Sequence, residues 1–591
     1  MKREYVDGFE FYKIFISGAK SVIRNKIHLN NINVFPVPDG DTGSNMEATL
    51  NSLINFTNVS FSFEETSKSM ANATMLGARG NSGIIFAQYI KGIAEAANGY
   101  QTIHFKEFID LNFYAAQKLI NAISKPVEGT IITVIRSWAE YLKTNKNSIS
   151  SFEELFLNSI DTAENSLSKT TEQLEVLKKY NVVDSGAKGF VYFLEGIRRY
   201  ILDDDISEEL NLFSDNINLN IIEIDNLDEN LEYRYCCECV ILNSNYQKKE
   251  LMGAISTFGE NLICIENDNK IKVHMHTNTP YKLFEKLYEF GTISIPKIDD
   301  MLIQSNMIKD KSDIAIVTDS IADIPQEILD KYNVYTINLN IQIGESQFVD
   351  KIGISREMVY NYMNSETYPT SSAVNKMQIE IILKRILQNY KNIIVITVSS
   401  KLSGMYNLLS NVVENLNYDG NIEIIDSKLN SVAQGLLVYK AIELLSQGKD
   451  FETIIEQIKL NISKLEIYVA LNTIKNVMKS GRVDKRLVKL ASNAHIKLSI
   501  SLDREGNGTV FGWGTSYGRI VQKILNISKT KKINNEVLQY AISYSGKCKK
   551  AVIFAEKLEM LIGFPPLFIT EISSVTALHV GEDAVAVSFL E

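Results

Sequence analysis

Hydrophobic residues recur at intervals of three and four along the first 200 positions, the spacing that puts them on one face of a helix. Clear cases are FYKIFISGAKSVIRNKI, SNMEATLNSLINF and FVYFLEGIRRYIL. The pattern predicts an all-α domain over residues 1–202. The following stretch, 203–232, contains eleven acidic residues and no basic one, which is typical of a linker.

The pattern then changes to short runs of apolar and β-branched residues. YRYCCECVIL is followed by ENLICIE and IKVHMHT, and a polar NDNK segment between the last two indicates a hairpin. These runs predict a small α+β middle domain over residues 233–312.

Apolar strands alternate with amphipathic helices over residues 313–591. IAIVTDS, NIIVITVSS and IEIIDS have the strand pattern, and IPQEILDKY and GMYNLLSNVVENL have the helix pattern. Such alternation is typical of a parallel sheet covered on both faces, so we expect an α/β module.

Composition and charge exclude several classes of protein. The 591-residue chain has a formal net charge of −10 and no Lys/Arg-rich block, which argues against a nucleic-acid partner. No apolar run reaches about 18 residues, so we expect no stable membrane insertion. Five cysteines, three of them at 236–239, do not form a secreted disulfide framework, and we expect a cytoplasmic protein.

The first candidate functional residues lie in the loop NVFPVPDGDTGSNM, where Asp39 and Asp41 flank a glycine before a predicted helix. Two carboxylates on one turn favour Mg²⁺, which binds proteins through few carboxylates together with substrate phosphates. A simple helix-capping turn is the alternative. A second Gly-rich loop, residues 77–83, enters another helix, and free backbone N–H groups at a helix start favour phosphate.

PVPDGDTGSNM, GARGNSG, KPVEGT and VVDSGAKG occur in this order, and together they resemble the DhaL-type domain of the dihydroxyacetone kinase family, in the version found in fatty acid kinases. The resemblance implies an antiparallel helical barrel that holds ATP through two Mg²⁺ ions. Asp39 and Asp41 would be the metal ligands and the catalytic residues. The nucleotide-binding residues would be Thr42, Ser44, Asn45, Gly80, Asn81, Ser82, Gly83, Thr130, Asp184 and Gly186.

The middle domain carries a second set of ligand-type residues. His274 and His276 alternate on one strand and therefore share a face, and a thiolate from Cys236 would complete a mixed N/S set that suits Zn²⁺. The fourth position would be left for Glu238 or water. Cys239 or Cys264 are alternative thiolates, and two ordinary polar side chains are the alternative to a metal site. The segment resembles the middle domain of fatty acid kinases.

Hydroxyl groups mark the turns of the last module, in PTSSAV and SSKLSGMY. In open α/β sheets, ligands gather at the carboxyl ends of strands, so Ser403 with Thr370 or Ser371 would form a small anion site. Helix capping is the alternative role for these residues.

Together with KSGRVDK and ALHVGEDAVAVSFL, these motifs resemble the DegV family of fatty-acid-binding proteins over the whole of 313–591. The resemblance implies a two-lobed α/β module that encloses an acyl chain. Thr370, Ser371, Ser403 and His579 would bind its carboxylate, and Arg482 would contact the kinase domain.

A nucleotide-metal domain joined to an acyl carrier implies an ATP-dependent kinase that phosphorylates a bound fatty acid and gives acyl phosphate for phospholipid synthesis. The expected ligands are ATP, Mg²⁺, a fatty acid and, in the middle domain, Zn²⁺. We also expect a homodimer. The alternatives are a lipid-sensing protein that binds nucleotide without turnover and a kinase of a small substrate such as dihydroxyacetone.

Overall fold

The computed structural model divides the chain into two compact units. Unit 1 comprises Met1–Thr279 and Lys286–Ser305, and unit 2 comprises Pro280–Glu285 and Asn306–Glu591. The structure describes residues 4–36, 38, 40–123, 125–203, 232–244, 246–267, 269–309, 312–416, 418–483, 496–534 and 536–591. Most of the predicted acidic linker therefore lies outside the described residues.

The first part of unit 1 is helical. Its described helices are α1 (Gly8–Arg24), α2 (Lys26–Asn31), α3 (Thr42–Phe56), α4 (Phe63–Gly77), α5 (Gly80–Ala96), α6 (Phe105–Ala122), α7 (Ile131–Thr144), α8 (Phe152–Gln173), α9 (Glu175–Tyr180) and α10 (Ser185–Asp203). Polar residues before the apolar runs start several of them. Asp7, Ser62 and Ser151 each accept a hydrogen bond from a backbone N–H three residues on, which satisfies a donor that the helix leaves unpaired.

The long helices close into a ring. Each of α3 to α8 packs against the next, α8 packs against α10, and α10 returns to α1, which packs against α3. The enclosed core is rich in aromatic side chains, among them Phe15, Phe86, Phe190 and Trp138. The helical-barrel prediction is confirmed. One short antiparallel ladder, β1 (Tyr5–Asp7) with β2 (Thr102–His104), was not predicted, because three-residue strands leave no period in the sequence.

The middle domain is a four-stranded antiparallel sheet in the order β4-β5-β3-β6. Its elements are β3 (Tyr235–Leu242), α11 (Lys248–Ile255), β4 (Glu260–Asn267), β5 (Lys270–Thr277) and β6 (Thr292–Asp300). Ile263 and Ile265 of β4 join the core of the helical ring, so the sheet and the ring share one apolar core. Two further helices, α12 (Pro280–Tyr288) and α13 (Met301–Lys309), contain the boundaries between the two units.

The first lobe of unit 2 is built on a parallel sheet in the order β13-β12-β7-β8. The same stretch of the chain also forms a small antiparallel sheet in the order β10-β9-β11. The elements are β7 (Ile314–Asp319), α14 (Gln326–Lys331), β8 (Tyr335–Ile337), β9 (Asn340–Ile343), β10 (Ser346–Val349), α15 (Arg356–Met363), β11 (Thr370–Ser372), α16 (Lys376–Leu387), β12 (Asn392–Thr397), α17 (Met405–Glu414), β13 (Asn421–Asp426), α18 (Ser431–Ser446) and α19 (Phe451–Ile462).

The second lobe has a six-stranded sheet in the order β16-β15-β14-β19-β17-β18, in which the β17–β18 pair is parallel and the other pairs are antiparallel. Its elements are β14 (Leu465–Ala470), α20 (Lys475–Ser480), β15 (Lys497–Leu502), β16 (Gly508–Gly514), α21 (Tyr517–Ile533), β17 (Gln539–Tyr544), α22 (Lys549–Ile562), β18 (Ile569–Glu571), α23 (Ser574–Val580) and β19 (Val585–Leu590). The two-lobed α/β fold is confirmed, but the expected parallel sheet holds only for the first lobe.

Helix α18 explains how the two lobes form one module. It packs against β7 and β12 of the first sheet and against β14, β17 and β19 of the second. Val432, Leu436, Leu437 and Ala441 are all buried, because a helix between two sheets is apolar on nearly every side. Among the described residues of both units, no helix is long and apolar enough to span a bilayer.

Candidate functional site

The acidic loop of unit 1 leads directly into α3. Asp41 is the N-cap residue of α3, is buried, and accepts a hydrogen bond at 2.7 Å from the amide of Asn45, one turn on. The hydroxyl of Thr42 donates to the side-chain oxygen of Asn33, which stands just before the loop. Asp39, the other predicted metal ligand, lies outside the described residues.

The second Gly-rich loop places the start of α5 against α3. Gly80 has φ +57°, and a Cβ there would lie 2.3 Å from the amide nitrogen of Asn45. Only glycine allows both the left-handed backbone and this approach. Gly83 serves packing, since its Cβ would lie 2.3 Å from the hydroxyl of Thr49 on α3.

Two more helix starts reach the same region. Asp184 precedes α10, accepts from the backbone N–H of Ala187 at 2.7 Å, and also accepts from the backbone of Ile131, the first residue of α7. Burial raises the pKa of Asp184 to about 7. A Cβ on Gly186 would lie 2.5 Å from the hydroxyl of Ser82 on α5. The N-termini of α3, α5, α7 and α10 therefore converge, and their dipoles favour an anion there.

A cavity of about 50 Å³ opens between the starts of α3 and α5 and the middle sheet. Six residues predicted to bind nucleotide or Mg²⁺ line it: Asp41, Thr42, Asn45, Gly80, Asn81 and Ser82. Five others lie outside its lining, namely Ser44, Gly83, Thr130, Asp184 and Gly186. The cavity holds no more than a few water-sized groups, so it suits ions and a terminal phosphate, while a base and sugar would extend beyond it.

The Cys/His group of the middle sheet lines the same cavity. Cys236 lies opposite His276 in the β3–β5 ladder, and the side-chain donor atoms of Cys236, His274 and His276 all lie within 4.8 Å of one another. Cys239 and Cys264, the alternative thiolates, are not part of this group. We call these three residues the Cys/His triad.

The surroundings of the triad leave the His276 ring unprotonated and make a Cys236 thiolate depend on a bound metal ion. Burial and the neighbouring His274 lower the pKa of His276 to about 3, so its ring is neutral at pH 7 and keeps a lone pair. Burial and Glu238 raise the pKa of Cys236 well above its usual value, so a thiolate needs a metal ion to stabilise it. His274 Nε2 is buried and has no hydrogen-bond partner among the described residues, an arrangement that a metal bond would satisfy.

Sequence reasoning missed two charged residues that line this cavity, and it considered Glu238 only as a fourth zinc ligand. Lys297 and Asp299 of β6 both line it, and their charged groups are 2.5 Å apart. Glu238 of β3 accepts a hydrogen bond from the backbone N–H of Gly80 at 2.7 Å. The i, i+2 alternation along the strands was visible in the sequence, but nothing there indicated that the sheet faces the nucleotide loops.

Unit 2 contains a much larger cavity, of about 420 Å³. Both lobes line it with aliphatic side chains, among them Val398 after β12, Ile467 and Val469 of β14, and Ile500 and Leu502 of β15. Its volume is within the range of small-molecule pockets, and its walls suit an extended apolar ligand.

Polar groups also contribute to this lining. Three of the four residues predicted to bind the acyl carboxylate line this cavity, namely Ser371, Ser403 and His579. The fourth, Thr370, is exposed on β11 and does not line it. Burial and the nearby Arg482 lower the pKa of His579 to about 4, so the ring is neutral at pH 7.

Arg482 also lines the cavity, and it donates from Nη1 to the backbone oxygen of Ser480 at 2.6 Å. No feature of the SGRV motif had indicated a place in the cavity wall. The role predicted for Arg482, contact with the kinase domain, stays a prediction.

The fold and the two cavities define a multidomain protein that joins a helical domain, with several helix N-termini at one end, to a two-lobed α/β module with a large apolar cavity. Residues 36–199 match the DAK2 domain, residues 232–308 match the fatty acid kinase-like middle domain, and residues 313–591 match the DegV family of uncharacterised proteins. The chain is therefore a fusion of a DAK2 (DhaL-like) domain, a fatty acid kinase-like middle domain and a DegV-family domain. Its first two domains belong to kinase families.

Curated relatives share about a third of their residues with this chain over the matched region. It is 33% identical over 310 residues to an uncharacterized protein of Mycoplasma genitalium, covering 49% of this chain and 56% of that protein. The chain is 31% identical over 319 residues to an uncharacterized protein of Staphylococcus saprophyticus, and the match covers 52% of this chain and 57% of that protein. The chain thus spans little more than half the length of these relatives.

Solved structures of lower identity are also similar. A stearic acid-binding protein of Eubacterium ventriosum is 21% identical with a TM-score of 0.45, covering 47% of this chain and 98% of that one. DegV, a fatty acid binding protein of Bacillus subtilis, is 19% identical with a TM-score of 0.43, and the match covers 48% of this chain and 100% of that one.

Proposed function

We propose that this protein transfers the terminal phosphoryl group of ATP to the carboxylate of a fatty acid and so produces an acyl phosphate for phospholipid synthesis. The observation that carries the proposal is that the N-termini of α3 and α5 line one cavity together with Asp41, beside the starts of α7 and α10. The kinase-family membership of the first two domains and the large apolar cavity of unit 2 support it.

In unit 1, backbone N–H groups at the start of α5, together with Thr42 and Asn45, would bind the phosphates. Asp41 and Asp39 would hold Mg²⁺, and their donor set fits that ion because it consists of hard carboxylate oxygens. When bound, Mg²⁺ would offset the charge of the phosphates. Lys297 adds a cation on the opposite wall of the cavity.

In unit 2, the aliphatic walls would enclose the acyl tail, and the hydroxyls of Ser371 and Ser403 with the neutral ring of His579 would hold the carboxylate. Thr370 remains a proposed head-group residue only if its exposed side chain turns toward the ligand. The carboxylate is ionised at pH 7 and needs no general base. One of its oxygens forms the new P–O bond while the bond from the γ-phosphorus to the bridging oxygen breaks and ADP leaves.

The Cys/His triad would hold Zn²⁺. The residues fit because three mixed N/S donor atoms lie within 4.8 Å and the buried His274 Nε2 has no partner in the described part of the chain. Bound Zn²⁺ would stabilise the Cys236 thiolate and cross-link β3 to β5, next to the phosphate cavity.

The full chain tests this proposal directly. Incubation with ATP, Mg²⁺ and oleate, followed by trapping with hydroxylamine, should give the hydroxamate of the fatty acid together with one ADP for each product. Asp41→Asn should bind oleate as wild type does and form no product. Nucleotide binding without any turnover would instead favour the lipid-sensing alternative, and turnover with dihydroxyacetone but not oleate would favour the small-substrate kinase.

A further inference from the structure

Glu238 occupies a position of the middle sheet that contacts both candidate sites of unit 1. It lies at the centre of β3, opposite His274 on one neighbouring strand and opposite Lys297 on the other. Its side chain is 1% exposed. A carboxylate buried to this extent requires compensating partners.

Two lysines on the neighbouring strands offset its charge: Lys272 on β5 and Lys297, which lies opposite Glu238 on β6. The ammonium of Lys272 lies 3.5 Å from Oε2. The other carboxylate oxygen, Oε1, contacts both the Gly80 loop and the Cys/His triad.

Oε1 of Glu238 accepts the backbone N–H of Gly80 at 2.7 Å and lies 3.3 Å from Nδ1 of His274. The first contact satisfies an N–H group that helix α5 leaves unpaired at its start. The second fixes the ring of a triad histidine. Nδ1 also lies 3.8 Å from the Cys236 sulfur. When Nδ1 carries the proton, the lone pair is on Nε2, the buried nitrogen that no described residue contacts by a hydrogen bond.

The chain of contacts continues to the acidic loop. Gly80 packs closely against the amide of Asn45, and that amide donates to Asp41. A change in the position of the Glu238 carboxylate therefore affects both Gly80, in the phosphate cavity, and the tautomer and orientation of His274.

We propose that Glu238 is a positioning residue that couples the Cys/His triad to the nucleotide site, so that Zn²⁺ in the triad raises the affinity for the magnesium nucleotide and the nucleotide raises the affinity for Zn²⁺. This inference rests on the proposed function. Zn²⁺ on His274 would fix the ring and, through the contact with Nδ1, the carboxylate that accepts the N–H of Gly80 at the phosphate cavity.

The wild-type full chain gives the first test. Its affinity for Mg·ADP is measured by calorimetry after removal of zinc with a chelator and again after reloading, and its affinity for Zn²⁺ is measured with and without Mg·ADP. We expect both affinities to rise by the same factor, on the order of 10-fold, because coupling between two sites is reciprocal. A factor of one, or a decrease, overturns the inference.

Variants assign the coupling to Glu238. Glu238→Asp keeps the charge that Lys272 requires but withdraws the carboxylate from Gly80 by one methylene, so the coupling factor should fall toward one while each ligand still binds alone. Glu238→Gln should weaken it as well. Glu266→Gln, at the far end of β4 opposite Ile271, is the matched control and should keep the full factor.

The outcomes separate this inference from the proposed function. If the chain takes up no zinc or binds no nucleotide, the proposed sites are wrong and the coupling falls with them. If both ligands bind and Glu238→Asp retains the wild-type factor, the sites stand and the role of Glu238 is wrong.

Discussion

Filling the cavity of unit 2 with a larger side chain tests whether it holds an acyl tail. Ile500 of β15 is the position of choice because it lines the cavity and is half-buried in the protein without a ligand. We therefore consider Ile500→Trp, which places an indole in a space of about 420 Å³.

The expected effect follows from the methylenes that the indole displaces. Burial of a methylene contributes ~0.8 kcal/mol, so exclusion of about four methylenes from the cavity costs ~3 kcal/mol. Since each 1.4 kcal/mol is tenfold in affinity, palmitate should bind roughly 100- to 200-fold more weakly. Decanoate, whose tail fills less of the cavity, should lose less.

The assay is displacement of a fluorescent fatty acid from the full chain by palmitate and by decanoate. Ile553→Trp is the matched control, because the same substitution falls on an exposed position of α22 with 43% of the residue accessible. Mg·ADP binding, measured in parallel, shows that unit 1 is intact. Unchanged palmitate affinity in Ile500→Trp would refute the placement of the acyl tail in this cavity.

Three further predictions concern the polar groups. Ser403→Ala should weaken palmitate binding about 10- to 100-fold, since a hydrogen bond to a charged group contributes ~1.5–3 kcal/mol, and it should reduce acyl-phosphate yield by more; equal values for variant and wild type in both assays would contradict the head-group site. Cys236→Ser should reduce the zinc content of protein purified without chelator from about one ion per chain to less than about a tenth, by elemental analysis; a zinc-free wild type would rule out the metal site. His579 should titrate near pH 4 in proton NMR, where its resonance is identified among the six histidines by loss in His579→Gln. Because burial lowers the pKa of His579 in the folded protein below 6.5, the unfolded chain takes up this proton first. Wild type should therefore lose stability relative to His579→Gln as pH falls from 6.5 to 4. A titration midpoint of His579 at or above 6.5 would contradict the burial argument.

Sequence patterns predicted the helical ring well, because amphipathic helices carry their period in every turn. The sheets of unit 2 were harder. VAVSFL of β19 is apolar except for the buried Ser588, a pattern that parallel strands also show, yet it pairs antiparallel with β14 and β17. Helices cover both faces of this sheet, so its central strands are apolar throughout and their direction leaves no trace in composition.

The candidate sites show a similar division. The pairing of His274 with His276 followed from strand alternation, and the Gly80 loop followed from glycine at a helix start. Glu238 was expected only as a fourth zinc ligand and Lys297 was not predicted, because their contacts depend on which loop the middle sheet meets. Arg482 was expected in a domain contact, and its place in the wall of the acyl cavity beside His579 was not foreseen. Contacts between elements distant in sequence have no local signal.

The chemistry of the acyl cavity suggests why its head group is built from weak donors. Tail burial alone supplies on the order of 10 kcal/mol for a long chain, so affinity does not require a strong ion pair at the carboxylate. Binding that is equal in the ground state and the transition state does not accelerate phosphoryl transfer, and a tightly paired carboxylate would be a poorer nucleophile. Under the proposed function, hydroxyls and a neutral histidine would hold the carboxylate in place and leave one of its oxygens free to attack phosphorus. Replacing Ser403 by a permanently charged lysine should therefore tighten fatty-acid binding and slow acyl-phosphate formation, a combination that simple loss of fit would not produce.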